Sequence, residues 1–532
     1  MAKNNNKAAR KKKNRQQHPN RTCNVQRTRE ATASRVSVCA SGFLPQAPAG
    51  SADSTLPSTP ELAIIPGVTI PASRARHLYD PAMIKALINR LRGRPAPPPV
   101  LQRVVIPRDQ HPISRKDISN AALKTLYRLR EQGHQGFLVG GGVRDLLLGL
   151  HPKDFDVATS ATPEQVKQAF GGQCQLIGRR FRLAHVRYGR EIIEVATLRA
   201  HHSQAENDTH ARTSDEGMIL RDNVWGSVEE DAERRDFTVN ALYYNIEDFS
   251  IWDFAGGLKD LQRRELRLIG LPETRYREDP VRMLRAIRFA AKLDFTIEAG
   301  TANPIRVLGD LLDDISSHRL FDEAQKLLSS GHAVRVMDLL HEYDLFRHLF
   351  PLGGTSEESK HLLTLTAEST DERLAIGKSV NPAFFYAALL WEQVQAEYQR
   401  LQDEGVPPVP ALQQAGQRVI SRQVERTAIP RFMAQTIREI WEMQPRLDRP
   451  RPRQVDMLIQ QQRFRAAYDF LVLREESGED TDGFGAWWTR YQDADPGLQA
   501  EMLRALESGG GSAGAKKPRR RTPRKRKPAS ST

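Results

Sequence analysis

Cysteine is scarce in this 532-residue chain. Cys23, Cys39 and Cys174 lie far apart, and none belongs to a C-x-x-C pair. The sequence therefore offers neither a disulfide framework nor a cysteine-based zinc site. Such a chain suits a reducing compartment, and we expect a cytoplasmic protein.

Long apolar runs and the common nucleotide-binding motifs are also missing. The longest strongly apolar stretch, Ala383 to Trp391, is far shorter than the roughly 18 residues that span a bilayer. We therefore predict no membrane span. The chain's glycine-rich turn matches neither G-x-x-x-x-G-K-[ST] nor G-x-G-x-x-G, which argues against P-loop and Rossmann folds.

Acidic residues are nearly absent from the two ends of the chain. Residues 1–50 hold 11 Lys or Arg and one acid, and residues 508–532 hold nine Lys or Arg and no acid. The ends thus carry +10 and +9 of a total of +14, which leaves −5 for the residues between them. Flexible basic arms on a mildly acidic body indicate a polyanionic partner, with RNA or DNA first.

The N-terminal arm allows a second interpretation. A basic, acid-poor segment is also typical of a transit peptide, but the Lys11-Lys12-Lys13 block and the lack of an apolar stripe favour a disordered arm. Hydrophobic residues make up 39% of the chain, below the roughly 45–50% of ordinary globular proteins, which also indicates unfolded segments.

Composition and periodicity divide the chain into five segments. We predict an α+β head with a mixed sheet and helices, then an all-helical neck and body, between disordered basic termini. The predicted segments are a basic arm and Pro/Ala-rich linker at 1–112, the head at 113–270, the neck at 271–350, the body at 351–507 and an Arg/Lys-rich tail at 508–532.

Within the head, local patterns predict individual elements. Ser114 to Gly133 reads as one capped amphipathic helix. A strand, a glycine turn, a short helix and a second strand follow, and a hairpin with its turn at Gly189-Arg190 comes after them. These elements are expected at Phe137–Val139, Gly140–Gly142, Val143–Leu148, around Phe155, and at Phe181–Arg187 with Glu191–Thr197.

A pair of carboxylates lies in the second of these strands. In Asp154-Phe155-Asp156 the two acids are two residues apart, so on a strand they project from one face, roughly 7 Å apart, while Phe155 points into the core. Two such carboxylates can hold a pair of Mg²⁺ ions about 4 Å apart. Taken alone, the pattern is weak, because most such pairs are solvated or salt-bridged surface acids.

The glycine turn before this pair favours phosphate binding. Backbone N–H groups at a helix start attract anions, and Arg144 adds a cation. The alternative is a tight turn in which Arg144 pairs with a local acid.

Two further clusters, Arg234-Arg235-Asp236 and Asp279 with Arg282, also combine cations and acids. Their alternatives are a helix entry with an N-cap acid, and a helix capped by Asp279 with Pro280 at its first position.

Taken together, these segments resemble one family closely. The motifs L-V-G-G-G-V-R-D at 138–145, D-F-D-V-A-T at 154–159, R-R-D-F-T at 234–238 and E-D-x-x-R at 278–282 are similar to the ordered motifs of class II template-independent nucleotidyltransferases. That family contains CCA-adding tRNA nucleotidyltransferases and bacterial poly(A) polymerases. The segments at 113–119, 178–186 and 191–197 and the Arg-rich tail resemble the bacterial poly(A) polymerase branch.

The resemblance implies an enzyme that adds AMP from ATP to RNA 3′ ends. It places two Mg²⁺ ions and the catalysis on Asp154 and Asp156. Asp236 is expected as the third acid, with Glu194 as its alternative. The nucleotide-binding residues implied are Gly140, Gly141, Arg144, Arg234, Arg235, Asp279 and Arg282, the last two reading the base.

The resemblance also implies RNA binding by the neck and body, and we expect a monomer whose basic tails can dock RNA-decay proteins. Two other functions stay open. An Asp/Arg pair matches adenine and cytosine alike, since both present an amino donor beside a ring-nitrogen acceptor, so a CCA-adding enzyme is one alternative. The other is an inactive RNA-binding relative, against which the three retained aspartates count.

Overall fold

The computed structural model describes residues 102–178, 182–200 and 225–507, together with the backbone of two short strands at 211–213 and 219–222. Both basic ends lie outside the described residues, as does the predicted linker up to residue 101, so their predicted disorder stays a prediction. The described part consists of a mixed α+β head followed by a long helical region.

The head is built on an eight-stranded sheet with the order β1-β10-β9-β2-β3-β6-β5-β4. Neighbouring strands are antiparallel except β3 and β6, which are parallel. This confirms the predicted mixed sheet. Its strands are β1 Val104–Ile106, β2 Gly136–Val139, β3 Asp156–Thr159, β4 Cys174–Ile177, β5 Leu183–Tyr188, β6 Glu191–Thr197, β9 Leu242–Asn245 and β10 Ile251–Asp253. A separate hairpin pairs β7 Ala211–Thr213 with β8 Ile219–Asp222.

Alternating residues give the sheet two different faces. Leu138 and Val157 belong to the main core together with residues of helices α1 Asn120–Glu131 and α3 Pro163–Phe170. Phe137, Val139 and Tyr243 point to the opposite face, where a smaller cluster also contains residues of helix α4 Val228–Arg234. Because side chains alternate between the two faces, every second residue of these strands points to the second face. Polar side chains can lie on this face beyond the small apolar cluster.

Two predictions about the start of the head are wrong. The predicted linker 1–112 extends too far, because Val104–Ile106 pairs with β10 as an edge strand. The single helix predicted from Ser114 is two elements: Ser114 caps a short 3₁₀ helix at Arg115–Asp117, and Ser119 caps α1. Both serines satisfy N-terminal backbone N–H groups, so a capping pattern alone does not show which of them begins the long helix.

After residue 271 the chain is helical, as predicted, apart from the two-residue strand β12 Thr296–Ile297, which pairs with β11 Glu265–Leu266. The head contains two further helices, α2 Gly141–Leu147 and α5 Gly257–Arg263. The helices that follow are α6 Pro272–Glu278, α7 Val281–Leu293, α8 Ala299–Leu308, α9 Ser317–Leu328, α10 Ala333–Glu342, α11 Phe346–Leu349, α12 Glu357–Ala375, α13 Pro382–Leu389, α14 Trp391–Asp403, α15 Pro408–Arg426, α16 Arg431–Leu447, α17 Val455–Ile459, α18 Phe464–Ser477, α19 Phe484–Asp493 and α20 Pro496–Glu507.

One hydrophobic core runs from the head sheet into the helical region, and a second, smaller core holds the last helices from Met443 to Met502. Among the helices of the described residues, none has the length and apolar character needed to cross a membrane.

Candidate active site

A row of polar side chains crosses the second face of the sheet. Asp156 begins β3 and lies in parallel register with Glu194 of β6. Glu194 in turn lies opposite His185 of β5, and His185 Nε2 is 3.4 Å from a carboxylate oxygen of Glu194. Because paired residues in register project from the same face, the fold brings Asp156 and Glu194 side by side.

Asp154 lies just before β3 rather than on it. The expectation that both acids occupy one strand is therefore only half right, although Phe155 between them is buried as predicted. Asp154 and Asp156 are both exposed. Even so, the protein atoms around Asp156, then Glu194 and Asp154, raise its pKa to about 6 against the opposing effect of Arg235. Loss of solvent around the carboxylate is thus the main cause of the raised pKa, and repulsion between the neighbouring acids adds to it.

The glycine turn lies directly against this cluster. Gly140 has φ = +68°, and a Cβ built there would lie 3.8 Å from an oxygen of Asp156 and 3.7 Å from Nη1 of Arg235. The positive φ favours glycine at this position, and the two distances show that the turn packs in ordinary contact with Asp156 and Arg235. Helix α2 begins at Gly141, two residues before the predicted start, so its first N–H groups lie in the turn.

Arg144, expected at the nucleotide, is buried and fully engaged. Its guanidinium donates to Asp145 at 2.6 and 2.8 Å and to Asn240 at 2.7 Å. These contacts match the alternative in which Arg144 pairs with a local acid. A role for Arg144 at the nucleotide stays a prediction, and its observed contacts hold the turn and the Asn240 loop together.

A buried carboxylate that the sequence analysis missed organises the two arginines at 234 and 235. Asp231 is 3.1 Å from Nε of Arg234, 3.0 Å from Nη2 of Arg235 and 2.8 Å from the hydroxyl of Tyr243. Burial acts to raise the pKa of Asp231, but Arg235 and Arg234 hold that pKa well below its usual range. Arg235 also lies over the Tyr243 ring, 4.9 Å from its centre. Asp231 thus fixes Arg235 beside Asp156.

Asp236 differs from the acids of the sheet. It accepts from Nε of Arg285 at 2.9 Å, from Asn240 at 3.2 Å and from the backbone N–H of Phe237 at 2.8 Å. These partners, Arg285 above all, outweigh burial and hold the pKa of Asp236 well below its usual range. Asp236 is therefore a charge-compensated carboxylate.

Asp279 and Arg282 lie at the junction of α6 and α7. Asp279 makes no helix-capping hydrogen bond; one of its oxygens accepts from Arg319 at 2.7 Å, and the other is buried without a partner among the described residues. Arg282 donates to Glu278 at 3.0 Å and to the carbonyl of Arg275 at 2.6 Å. The helix-cap alternative for Asp279 is thus wrong, and an oriented acceptor oxygen is left.

Arg275 connects this junction to the motif at 234–236. Its Nη2 donates to the carbonyls of Arg234 and Arg235, the latter at 2.7 Å, and its Nη1 donates to Glu278 at 2.7 Å. Burial, and then Arg282, lowers the pKa of Arg275 to about 10. One side chain therefore couples the cluster beside Asp156 to the residues expected to read the base.

Some of the missed residues have a local signal. Asp231 precedes Arg235 by four residues and Arg285 follows Arg282 by three, spacings that place side chains on one helix face. Arg319 has no such signal, because it contacts Asp279 from 40 residues away.

The arrangement fits metal-assisted chemistry on a phosphate. Asp154, Asp156 and Glu194 offer hard oxygen ligands, the kind that Mg²⁺ prefers, and a cation would oppose the repulsion from Glu194 and Asp154 that contributes to the raised pKa of Asp156. Arg235 and the N–H groups of the glycine turn provide the cationic side of the same recess.

Three family models match the chain in order. They describe a poly A polymerase head domain at residues 136–267, a probable RNA and SrmB-binding site of polymerase A at 294–353, and a polymerase A arginine-rich C-terminus at 404–526. Together they cover the α+β head and much of the helical region.

Individual relatives agree with these models. Poly(A) polymerase I of Salmonella typhimurium is 47% identical over 435 residues, which are 80% of this chain and 92% of that protein. A CCA-adding enzyme of Streptococcus suis is 35% identical over 247 residues, only 46% of this chain and 59% of that protein. A solved CCA-adding enzyme in an apo form has a TM-score of 0.52 at 21% identity, covering 74% of this chain and 93% of that chain, so it shares the fold.

Proposed function

The chain belongs to the poly(A) polymerase family, and on that premise we propose that it adds AMP from ATP, without a template, to the 3′ ends of RNA. The observation that supports this most is the recess in which Asp156, Glu194, the Gly140 turn and Arg235 converge. Acids and phosphate-binding groups lie together there, as transfer of a nucleotidyl group requires.

For the third catalytic acid we choose Glu194 over Asp236. Glu194 lies in register with Asp156 and its side chain is 51% exposed, so it is open to a metal ion. Asp236 already accepts four hydrogen bonds, two of them from Arg285, which neutralises its charge. On this proposal Asp236 is a positioning residue that keeps the 234–240 loop in place.

Asp154, Asp156 and Glu194 would hold two Mg²⁺ ions, which when bound activate the RNA 3′ hydroxyl and neutralise charge on the triphosphate. The chain's own residues orient the nucleotide. The N–H groups after Gly140 and the guanidinium of Arg235 face the same recess and bind phosphate oxygens. Asp231 and Tyr243 hold Arg235 in that orientation.

The base is read at the α6–α7 junction in this proposal. The unpartnered oxygen of Asp279 accepts from the adenine amino group, and Arg282 donates to a ring nitrogen. Since cytosine offers the same pattern, selectivity for ATP depends on where the two groups are held. Arg319 fixes Asp279, and Glu278 with the Arg275 carbonyl fixes Arg282.

RNA is the second substrate, bound along the helical region and by the basic tails. The cytoplasmic location, the monomeric state and the docking of RNA-decay proteins through the tails stay predictions, as do the segment boundaries other than the corrected end of the linker.

Primer extension with each nucleoside triphosphate alone tests the proposed function. An oligo(A) primer should receive long tails with ATP and Mg²⁺, and little with CTP. A short CCA end on a tRNA that lacks one would instead identify a CCA-adding enzyme. Binding of RNA without any extension would identify an inactive relative.

A further inference from the structure

A second cluster of potential metal ligands lies away from the acids of the sheet. Asp310 and Asp313 belong to a 3₁₀ helix, Gly309–Asp314, and His348 belongs to α11. Each of the three residues offers a ligand atom within 4.8 Å of the other two. His348 is 4% exposed, whereas Asp310 is 79% exposed at its side chain.

The two ring nitrogens of His348 have different surroundings. Nδ1 lies 3.1 Å from an oxygen of Asp313. Because an ionised carboxylate only accepts hydrogen bonds, Nδ1 carries the proton in that contact. Nε2 is buried, has no hydrogen-bond partner among the described residues, and lies 3.5 Å from Asp310. With the proton on Nδ1, Nε2 is the nitrogen that can act as a metal ligand, and it faces Asp310.

The charge around this lone pair is negative. Arg347 forms ion pairs with both Asp310 and Asp344. Arg426 forms an ion pair with Asp313 and lies near Asp314. Four carboxylates thus face two guanidinium groups, which leaves two negative charges when the histidine is neutral. A Cβ at Gly309 would lie 3.3 Å from Nε2, so glycine keeps a side chain away from this nitrogen.

We propose that His348 Nε2 and Asp310 bind a divalent transition-metal ion, with Zn²⁺ as the best fit. Two ligands at about 2.1 Å from a tetrahedral ion are about 3.4 Å apart, close to the 3.5 Å between Nε2 and Asp310. Asp313 fixes the ring through Nδ1, the carboxylate–histidine arrangement common at zinc sites. An imidazole ligand disfavours Mg²⁺, which separates this site from the proposed catalytic one.

Such an ion would join parts of the helical region that are distant in sequence. The ligands come from the 309–314 segment and from α11. Asp313 is also 2.8 Å from Nη2 of Arg426, the last residue of α15. Bound Zn²⁺ should therefore stabilise the packing of these three elements.

Zn²⁺ binding to the full-length chain tests the proposal. The titration uses a chromophoric competing chelator in buffer with excess Mg²⁺, and compares the parent chain with Asp310→Asn and Asp314→Asn. Loss of the ligand in Asp310→Asn should weaken Zn²⁺ binding more than tenfold at this site. Asp314→Asn removes the same charge from the same segment without touching His348, so it should weaken binding less than threefold.

Co²⁺ provides a spectroscopic signature of coordination. The parent chain should give the visible absorption of tetrahedral Co²⁺, and both Asp310→Asn and His348→Gln should lose it. Because His348 is buried, His348→Gln can misfold. In that case the exposed variant Asp310→Asn alone decides whether the Co²⁺ absorption depends on the proposed ligands. Unchanged Zn²⁺ binding in Asp310→Asn, equal weakening in Asp314→Asn, or no binding by the parent would each overturn the site and favour an imidazolium held between two carboxylates.

This test is independent of the proposed function. The Zn²⁺ titration uses neither ATP nor RNA, so its outcome does not depend on primer extension. A failure of the zinc site would therefore say nothing against polyadenylation.

Discussion

Two groups of carboxylates in the head have the same chemistry and opposite surroundings. Asp154, Asp156 and Glu194 keep solvent-exposed surface at the sheet. The protein atoms around the carboxylate of Asp156, and then repulsion by Glu194 and Asp154, raise its pKa to about 6. Asp231 and Asp236 lie among arginines that hold their pKa values well below the usual range. In the first group the pKa of Asp156 stays raised despite the neighbouring Arg235, whereas bound arginines already compensate the second group.

We propose that this difference separates the catalytic acids from the acids that hold the structure. A carboxylate with no cation nearby can gain from a metal ion, whereas one that is bound to arginine would have to lose an ion pair first. Residue type alone does not distinguish the two groups, since both consist of acids. From the R-R-D and D-x-D motifs one would place Asp154, Asp156 and Asp236 in a single site. The contacts favour Glu194 in place of Asp236.

The largest effect is expected at the first group. Asp154→Ala or Asp156→Ala should lower turnover more than about a thousandfold, because loss of a metal ligand removes several kcal/mol of transition-state stabilisation. RNA binding should persist, since these acids act on the triphosphate and the 3′ hydroxyl. Single-turnover extension beside filter binding measures both, with the exposed Glu191→Ala as control. Rates within about tenfold of the parent would contradict the two-metal assignment.

Asp279 is intermediate between the two groups in charge compensation, since one of its oxygens is paired with Arg319 and the other has no partner among the described residues. If Asp279 and Arg282 read the base, Arg282→Ala should weaken discrimination of ATP over CTP by roughly 1–3 kcal/mol, the value of a paired base contact. The ratio of kcat/KM for the two nucleotides measures this. Arg277→Ala, an exposed neighbour of the same charge, should leave the ratio unchanged. A loss of stability without any change in the ratio would contradict base reading.

A smaller effect concerns stability and pH. The folded-state pKa of Asp156, about 6, lies above the ordinary value of roughly 3.9. Its contribution to stability is therefore fully present below about pH 4 and is lost as the pH rises through 6. In EDTA, Asp156→Asn should thus raise Tm above pH 6, and the gain should disappear near pH 4. Thermal unfolding across this range measures it, and a lower Tm at pH 7.5 would contradict the raised pKa.

The smallest effect on turnover is expected from the tail. Residues 509–532 contain nine cations but no acid and no aromatic residue. The tail can therefore attract phosphate but can neither stack on a base nor bind a metal ion. Deleting 509–532 should weaken RNA binding and flatten its salt dependence, because each phosphate contact contributes about −0.7 to −0.9 to the slope of log K against log salt. Turnover at saturating RNA should stay nearly unchanged.

Filter binding of oligo(A) at several salt concentrations measures this slope. Deletion of residues 1–50 should act in the same way if that arm is also an RNA tether. A shuffled tail of equal charge serves as the control and should behave like the parent. A truncated chain that keeps the full slope would show that the RNA contacts lie on the folded body.

Local patterns predicted much of the head. The strand before the glycine turn, the hairpin with Gly189 and the burial of Phe155 all follow from short-range alternation and turn chemistry. The long helix was predicted to begin at the wrong serine, because Ser114 and Ser119 both satisfy helix N–H groups.

The partners of the site residues depend on contacts between distant parts of the chain. The hairpin turn sets Glu194 opposite His185, but the parallel pairing of β3 with β6 brings Asp156 beside Glu194, and no local spacing encodes that pairing. Arg285 reaches Asp236 across 49 residues, and Arg319 reaches Asp279 across 40. The sequence could thus identify which side chains carry chemistry, but not which of the acids were already neutralised.

The most direct test of the comparison is Mn²⁺ binding in the presence of a non-reactive ATP analogue, measured by electron paramagnetic resonance for Glu194→Gln, Asp236→Asn and the parent chain. Glu194→Gln should weaken Mn²⁺ binding strongly at an unchanged Tm. Asp236→Asn should bind Mn²⁺ like the parent but lose about 2 kcal/mol of unfolding free energy, since it leaves the partly exposed Arg285 without its partner. The reverse pattern, with Mn²⁺ binding lost in Asp236→Asn and kept in Glu194→Gln, would contradict the account.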